Sequence, residues 1–338
     1  MPRPIENPPN PWSHTHAEWL GEQAPAQLRV LEESARSILS RNDSADLPFR
    51  YSLNPYRGCM HACAYCYARP THGYWGLDAG TDFEQVIFVK PKAPDLLRQR
   101  LAHRSWEREP IVMSGNTDCY QPLEANYALT RRCLQAFLSH RSPVSIITKA
   151  SLIRRDLDLL SELAKHKLVQ VHLSIPSLND KSGKLLEPHT PSPASRFETM
   201  RQLHEAGIPV GISVSPVVPG LNDHEITQLL ERAKQCGAAW AWMTPLRLPA
   251  ETEQVFFERL KAQYPDHAQK IRQGFAELQK NSSFSKLADP RSQEHKPLWR
   301  SLQLVFSQSC ERLELRHSQG LTWPQSLLLQ DPRGFSTN

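Results

Sequence analysis

VSIITKASLIRRDLDLLSELAKHKLVQVHLSI, residues 144–175, contains two compact apolar runs with an amphipathic segment between them. In the middle segment apolar residues recur at i, i+3, i+4 and i+7, the period of a helix with one buried face. VSIITK (144–149) and LVQVHLSI (168–175) are short and rich in Val, Ile and Leu. Such runs read as strands of a parallel sheet. A strand, a helix and a second strand of these lengths form a right-handed crossover unit.

The same rhythm extends in both directions. Upstream, FRYSLNPYRGC reads as a strand running into a loop. VIFVK (86–90) is followed by the helical APDLLRQRLAHR, and IVMSG (111–115) by ANYALTRRCLQAFLSH. Downstream, SPASRFETMRQLHEAG ends on Gly207 and leads to IPVGISVSPVV (208–218). NDHEITQLLERAKQCG then has Asn222 or Asp223 as its N-cap and closes on Gly237, before AAWAWMTPLRL (238–248). About six strand–helix units therefore lie between roughly residues 50 and 250.

The fold class expected is α/β, a partial (βα)6 TIM-type barrel over residues 46–250 with a C-terminal helical extension over 251–338. Residues 1–45 form an N-terminal extension, Pro-rich and partly mobile at its start, in which LRVLEESARSIL (28–39) has helical spacing. The extension after 250 holds three helical stretches, ETEQVFFERLKAQYP, DHAQKIRQGFAELQK and KPLWRSLQLVFSQSCERLEL. NSSFSKLADPRSQEH links the second to the third, and LLLQDPRGFSTN reads as a short docked segment with a frayed tail.

The chain of 338 residues is 39% hydrophobic and 22% charged, enough for a sizeable core and unlike a disordered chain. Its formal charge of +5 permits an anionic partner without demanding one. A hydrophobic signal core and a membrane-length apolar run are both missing, so the expected location is the cytoplasm. Seven cysteines, an odd number with three clustered, argue for a metal or redox site in a reducing compartment rather than a disulfide framework.

In a sheet of this kind chemistry sits at the C-terminal ends of the strands. NPYRGCMHACAYCYARPTHGYW (54–75) follows the first strand and carries Cys59, Cys63 and Cys66 in the spacing C-x3-C-x2-C. Thiolates are soft ligands, suited to zinc or to iron–sulfur clusters. A structural zinc site wants four ligands, and His61 lies inside the loop between two of the cysteines. Three thiolates on a short loop suit three corners of a [4Fe–4S] cube and leave one iron open to another ligand.

C-x3-C-x-(aromatic)-C, here Cys59-Met60-His61-Ala62-Cys63-Ala64-Tyr65-Cys66, resembles the signature of the radical S-adenosylmethionine (radical SAM) superfamily. The longer string NPYRGCMHACAYCYARPTH, with SGNTDCYQPLE, SIPSLND and PVVPGLND downstream, resembles an uncharacterised bacterial branch related to spore photoproduct lyase. The resemblance implies that S-adenosylmethionine chelates the open iron of a [4Fe–4S] cluster through its methionine amino and carboxylate groups. Reductive cleavage then gives a 5′-deoxyadenosyl radical that takes a hydrogen atom from a substrate.

It implies further roles, residue by residue. Asn116, Thr117 and Asp118 stand where the family binds the methionine ammonium, although an Asx-type turn is the alternative. Lys149, at the end of the third strand, is placed to pair with the methionine carboxylate. Ser174, ending the fourth, is placed for the ribose hydroxyls, and Tyr65 and Val217 for the adenine. Each of these has a plain structural alternative, namely a solvated Lys, a local hydroxyl contact, or packing. Arg57, Arg69, His72, Arg196 and Arg247 are candidates for an anionic substrate, or else salt-bridge partners.

Spore photoproduct lyases return a hydrogen atom from a cysteine whose place falls near Gly115 in this chain. Cys119 is the closest thiol, so it is either a hydrogen donor or a loop cysteine. The implied partners are an external electron donor of flavodoxin or ferredoxin type and a substrate for which nucleic acid is a candidate. Readings of other classes are a nucleic-acid-binding protein with a structural zinc loop, and a dithiol redox protein using Cys63 and Cys66.

Overall fold

The computed structural model of the protein describes residues 27–42, 49–279 and 297–317. Its strands are β1 (Arg29–Glu32), β2 (Leu39–Arg41), β3 (Tyr51–Leu53), β4 (Tyr56–Arg57), β5 (Val86–Val89) and β6 (Ile111–Met113). They continue with β7 (Val144–Thr148), β8 (Val169–Ser174), β9 (Val210–Val217), β10 (Trp240–Pro245) and β11 (Arg316–His317). Eight of them form one sheet in the order β11-β10-β9-β8-β7-β6-β3-β2. Within it β3, β6, β7, β8, β9 and β10 run parallel and lie side by side in chain order. β11 adds in parallel to β10, and β2 adds antiparallel to β3. The protein is thus an α/β protein whose sheet ends on two edge strands.

The helices Ala93–Ala102, Leu129–Ser139, Leu157–Lys165, Pro193–Glu205, Ile226–Gln235 and Pro297–Arg312 contribute to the main core with one face of this sheet. The strand residues that meet them are aliphatic, including Val144, Ile146, Val171, Leu173, Val210 and Ile212. Each such buried side chain contributes roughly 1.5–3 kcal/mol. Successive strand residues point to opposite faces, so the other face carries Ser145, Gln170, His172, Ser174, Gly211 and Ser213. The apolar runs therefore alternate, and one face of the sheet is polar.

Two expectations for the first ninety residues need correction. LRVLEESARSIL holds β1 and β2 rather than a helix. Residues 29–32 pair in parallel with 86–89, and residues 39–41 pair with 51–53. A run of twelve residues is too short to hold a helix alone, so strand partners decide its form. β5, within VIFVK, is not in the main sheet. It is the centre of a separate three-stranded sheet, β1-β5-β4. The start of the chain (1–26), the link 281–295 and the tail 327–338 lie outside the described residues.

The helices Ala250–Gln263 and Pro265–Gln279 build a second core with Ala64, Leu185, Leu186, Val218 and Leu246. Thus helices after the sheet pack on the cysteine loop itself. Among the described residues no helix is long and apolar enough to cross a membrane.

Candidate functional site

The cysteine loop begins at the C-terminal end of β3. Gly58 has φ +77°, and a Cβ on it would stand 2.9 Å from the Val86 carbonyl oxygen, so glycine is required at the turn into Cys59. The Cys59 amide donates to the Phe83 carbonyl at 3.0 Å. Cys59 and Cys63 are buried, Cys66 is half-buried, and all three are free thiols.

Side chains from several elements fix the loop backbone. Arg69, fully buried, donates to the carbonyls of Cys63 (2.8 and 2.9 Å), Ala62 (3.2 Å), Ala79 (2.9 Å) and Gly80 (3.0 Å). Arg259, from the helix Ala250–Gln263, donates to the Ala62 carbonyl at 2.6 Å. Thr252 of the same helix donates to the Cys66 carbonyl at 3.3 Å. Glu84 pairs with both guanidinium groups. On the other side, Gln121 accepts from the Met60 amide and donates to the Gly58 carbonyl, each at 3.1 Å.

These contacts hold the three thiols in a shape that the protein itself supplies. Burial pushes the thiols of Cys63 and Cys66 up, while Lys149 at Cys63 and Arg69 at Cys66 pull the other way. Three soft donors with cationic neighbours fit an iron–sulfur cluster held as thiolates. Among the described residues, no three His, Cys, Asp or Glu side chains converge as one metal ion would need. His61 is engaged elsewhere, its Nδ1 standing 3.4 Å from Asp118 Oδ2. Burial opposes charge on His61, but the proximity of Cys59 and Asp118 carries its pKa up to about 10.

The loop after β6 lies next to the cysteines. Asn54 Oδ1 accepts from the amides of Asn116 (2.9 Å) and Thr117 (3.3 Å), and Thr117 Oγ1 donates to the Tyr56 carbonyl at 2.8 Å. Asp118 accepts from Thr148 Oγ1 (2.7 Å), the Lys149 amide (2.8 Å) and the Tyr120 amide (2.9 Å). Burial opposes its charge, but His61 and these donors hold its carboxyl well below the usual range. Thr117 thus ties the β6 loop to the segment that leads into the cysteines, and Asp118 ties it to the end of β7. The Asn116 amide side chain has no hydrogen bond among the described residues.

Lys149, Tyr65 and Arg196 gather around Glu187, a residue sequence reasoning had not singled out. Glu187 is buried, stands 4.0 Å from Lys149 Nζ and 2.5 Å from Arg196 Nη1, and accepts from the Tyr65 hydroxyl. Lys149 Nζ lies 6.0 Å from the Tyr65 ring centroid. Burial works against its charge, but Cys63, Glu187 and Asp118 hold it protonated. A lone Glu before Pro188 carries no motif, so only the fold could reveal this partner. The same holds for Arg259 and Thr252, which reach the loop from 186 or more positions along the chain.

Ser174 is buried, and its hydroxyl donates to the Ser215 carbonyl at 3.4 Å. Val217 is buried within the main core. Cys119 is also fully buried there, its amide donating to Ser114 Oγ at 2.8 Å. Burial pushes its thiol well up, the setting of a core cysteine. Four of the five anionic-substrate candidates have partners within the protein. Arg57 pairs with Glu33, Arg69 with Glu84, and Arg196 with Glu187, while His72 Nε2 lies 2.9 Å from the Val86 carbonyl. Arg57, Arg69 and Arg196 are thus ion-paired, as a charge withdrawn from water requires.

Known proteins resemble this chain in sequence and in fold. The sequence pattern of the Radical SAM superfamily matches residues 53–233. An uncharacterized protein of Mycobacterium bovis is 37% identical over 233 residues, 68% of each chain. The Radical SAM Nalpha-GlyT isomerase of Pseudomonas phage M6 is 28% identical over 186 residues, 54% of this chain and 36% of its own. Spore photoproduct lyase complexed with dinucleoside spore photoproduct superposes with a TM-score of 0.62 at 16% identity, over 87% of this chain and 82% of its own, which shows a shared fold. The matched stretch runs from the end of β3 through the cysteine loop to the helix after β9, more than half of the chain, and places this protein in the radical SAM superfamily.

Proposed function

We propose that the protein is a radical SAM enzyme whose Cys59, Cys63 and Cys66 hold a [4Fe–4S] cluster, with S-adenosylmethionine at the open iron. The observation that carries this reading is the loop itself, three free thiols whose backbone is pinned by Arg69, Arg259, Thr252 and Gln121. The sheet supports the finer reading of a (βα)6 part-barrel, since β3 and β6 to β10 are parallel and follow in chain order, with the two-residue β11 added at the edge. When bound, the cluster and S-adenosylmethionine supply a 5′-deoxyadenosyl radical that removes a hydrogen atom from the substrate.

The chain's own groups bind and orient. Lys149, charged at the mouth, meets the methionine carboxylate, and its Glu187 and Tyr65 partners fix its position. Asn116, the unengaged amide of its loop, accepts from the methionine ammonium. Thr117 and Asp118 hold that loop in place. Ser174 serves the ribose, while Tyr65 and Val217 shape the adenine side. Cys119 would return a hydrogen atom only if the core opened around it, so its proposed role is structural.

The electron comes from an external flavodoxin- or ferredoxin-type donor. Nucleic acid is the proposed substrate class, supported by the dinucleoside in the structure of a protein with this fold. A cytoplasmic setting is supported by seven cysteines that are all free thiols. The reading is tested by anaerobic reconstitution followed by dithionite and S-adenosylmethionine. 5′-Deoxyadenosine should form in the wild type and in none of the Cys59→Ala, Cys63→Ala or Cys66→Ala variants. A fully loaded protein that yields none would sink the proposal.

A further inference from the structure

The N-terminal ends of the strands, opposite the cysteine loop, carry a row of cations that the proposed chemistry does not use. β6, β7 and β8 enter the main sheet at one level, with Ile111, Val144 and Val169 in register. Just before these residues the chain turns through Arg108 (φ +56°), Arg141 (φ +48°) and Lys167 (φ +57°). In this left-handed region a Cβ crowds the following carbonyl oxygen. Adjacent strands lie about 4.8 Å apart, so the three turns form a line about 10 Å long.

The helices Leu129–Ser139 and Leu157–Lys165 end in the same way. The Ser142 amide donates to the Phe137 carbonyl at 3.0 Å, and the Leu168 amide to the Leu163 carbonyl at 2.9 Å. The helices Pro193–Glu205 and Ile226–Gln235 repeat the motif, Ile208 to Leu203 at 3.0 Å and Ala238 to Ala233 at 2.9 Å. There the left-handed residue is Gly207 or Gly237, the ordinary choice for this cap. Arg141 and Lys167 thus stand where the same fold elsewhere uses the unstrained residue. The helix dipole favours a cation at a helix C-terminus, but it acts equally at Gly207 and Gly237. It also fades within a turn, well short of Arg108, which lies beyond the helix Ala93–Ala102. Arg141 and Lys167 are exposed, and neither has an ion pair among the described residues. Arg108 is half-buried, and its Nη1 is buried without a hydrogen-bond partner. The turns into β6, β7 and β8 carry Arg104, Arg108, Arg141 and Lys167 against Glu107 alone, because Glu109 is paired with Arg50. The whole chain has a formal charge of only +5, so much of the excess sits here.

We propose that Arg104, Arg108, Arg141 and Lys167 form a docking surface for the phosphodiester backbone of a nucleic-acid duplex, at the end of the sheet away from the cofactor. Like charges set side by side repel, so a line of them is stabilised by a line of anions. The rest of the surface selects among polyanions. None of the exposed large hydrophobic residues lies in these three turns. An anionic membrane would call for apolar residues to enter it, and a protein partner for an apolar interface core. Single strands would call for exposed aromatic rings on which bases stack. A polar surface with an excess of arginine and lysine fits backbone phosphates. Such contacts position a duplex without reading its sequence. The contact is separate from the substrate that the mouth takes, and it does not depend on the cluster.

The test is fluorescence anisotropy of labelled duplex DNA and duplex RNA titrated with the full-length protein over a series of salt concentrations. Poly-glutamate and phosphatidylglycerol vesicles serve as the acidic-protein and membrane probes. At least one duplex should bind, with log K falling linearly with log salt, and the other two probes should bind more weakly. The double variant Arg141→Gly with Lys167→Gly should weaken duplex binding by about tenfold or more and reduce the salt slope by about two. Its urea midpoint should be no lower than that of wild type, because glycine relieves both left-handed turns. Arg104→Gln, a change at an exposed side chain, should reduce the slope by about one and covers the case of a misfolded double variant. Binding should be the same before and after anaerobic reconstitution, so failure to form a cluster bears on the radical SAM reading and not on this one. Absence of duplex binding, a salt slope unchanged in the folded variants, or preference for poly-glutamate or vesicles would overturn the proposal. A lower urea midpoint with unchanged duplex binding would give the cations a structural role and overturn it as well.

Discussion

Changing Arg259 to Met tests whether the C-terminal helices are part of the cysteine site. The substitution keeps the apolar stem and removes the guanidinium. It deletes the 2.6 Å bond to the Ala62 carbonyl, a charge-assisted bond worth roughly 1.5–3 kcal/mol. Glu84 keeps its pair with Arg69, so the larger penalty for an unpaired buried charge is not incurred. The expected loss is about 2–3 kcal/mol.

Glu84→Gln is different, since it leaves two buried guanidinium groups without their carboxylate. Its expected cost is roughly 3–5 kcal/mol. Combining the two should cost less than their sum by about 1 kcal/mol or more, because one removal relieves the other. Urea unfolding gives the three values, and iron retention under a chelator reports the loop directly. Both single variants should lose iron faster than wild type. Equal single costs with strict additivity, or unchanged iron retention, would refute the claim that this triad holds the loop.

The Trp240 indole N–H donates to His172 Nδ1 at 3.0 Å, and a Cβ on Gly211 would stand 2.2 Å from the same Trp240 Nε1. Gly211→Ala should therefore displace Trp240 from His172 and cost about 1–3 kcal/mol, read by thermal or urea unfolding. Burial keeps His172 neutral, which makes stability depend on pH. Its folded pKa of about 3 lies below the ordinary 6.5, so its contribution is complete above the higher value and falls as pH drops toward the lower. Between pH 7.5 and 5, wild type should lose about 2 kcal/mol more than His172→Gln, by urea titration at each pH. Cys119→Ala should leave iron content and 5′-deoxyadenosine formation intact. A substrate product made by wild type but diverted in Cys119→Ala, with iron and 5′-deoxyadenosine unchanged, would restore Cys119 as a hydrogen donor.

Much of the sheet was legible because its strands are short β-branched runs between strongly periodic helices. The cysteine loop was legible because its chemistry is local, with three thiols within eight positions. Residues 28–39 misled because their form depends on partners more than ten positions away, β5 and β3. VIFVK looked like any core strand, and nothing local says which of two sheets it joins. The alternation in VQVHLS was visible, yet the run reads as continuous apolar unless His172 and Gln170 are set apart. Glu187, Arg259 and Thr252 carry no motif and meet the site only after the chain folds back. Nor could the sequence say that Arg57, Arg69 and Arg196 find Glu33, Glu84 and Glu187, since those partners lie far apart in the chain or carry no motif.

Mössbauer spectroscopy of the protein reconstituted with 57Fe tests the central claim most directly. Three thiolates should give a cluster with about four irons per chain, of which about one changes its signal when S-adenosylmethionine is added. Loss of that cluster in Cys59→Ala, Cys63→Ala and Cys66→Ala completes the expected result. Stoichiometric zinc without sulfide, or a cluster whose irons all ignore S-adenosylmethionine, would contradict the account.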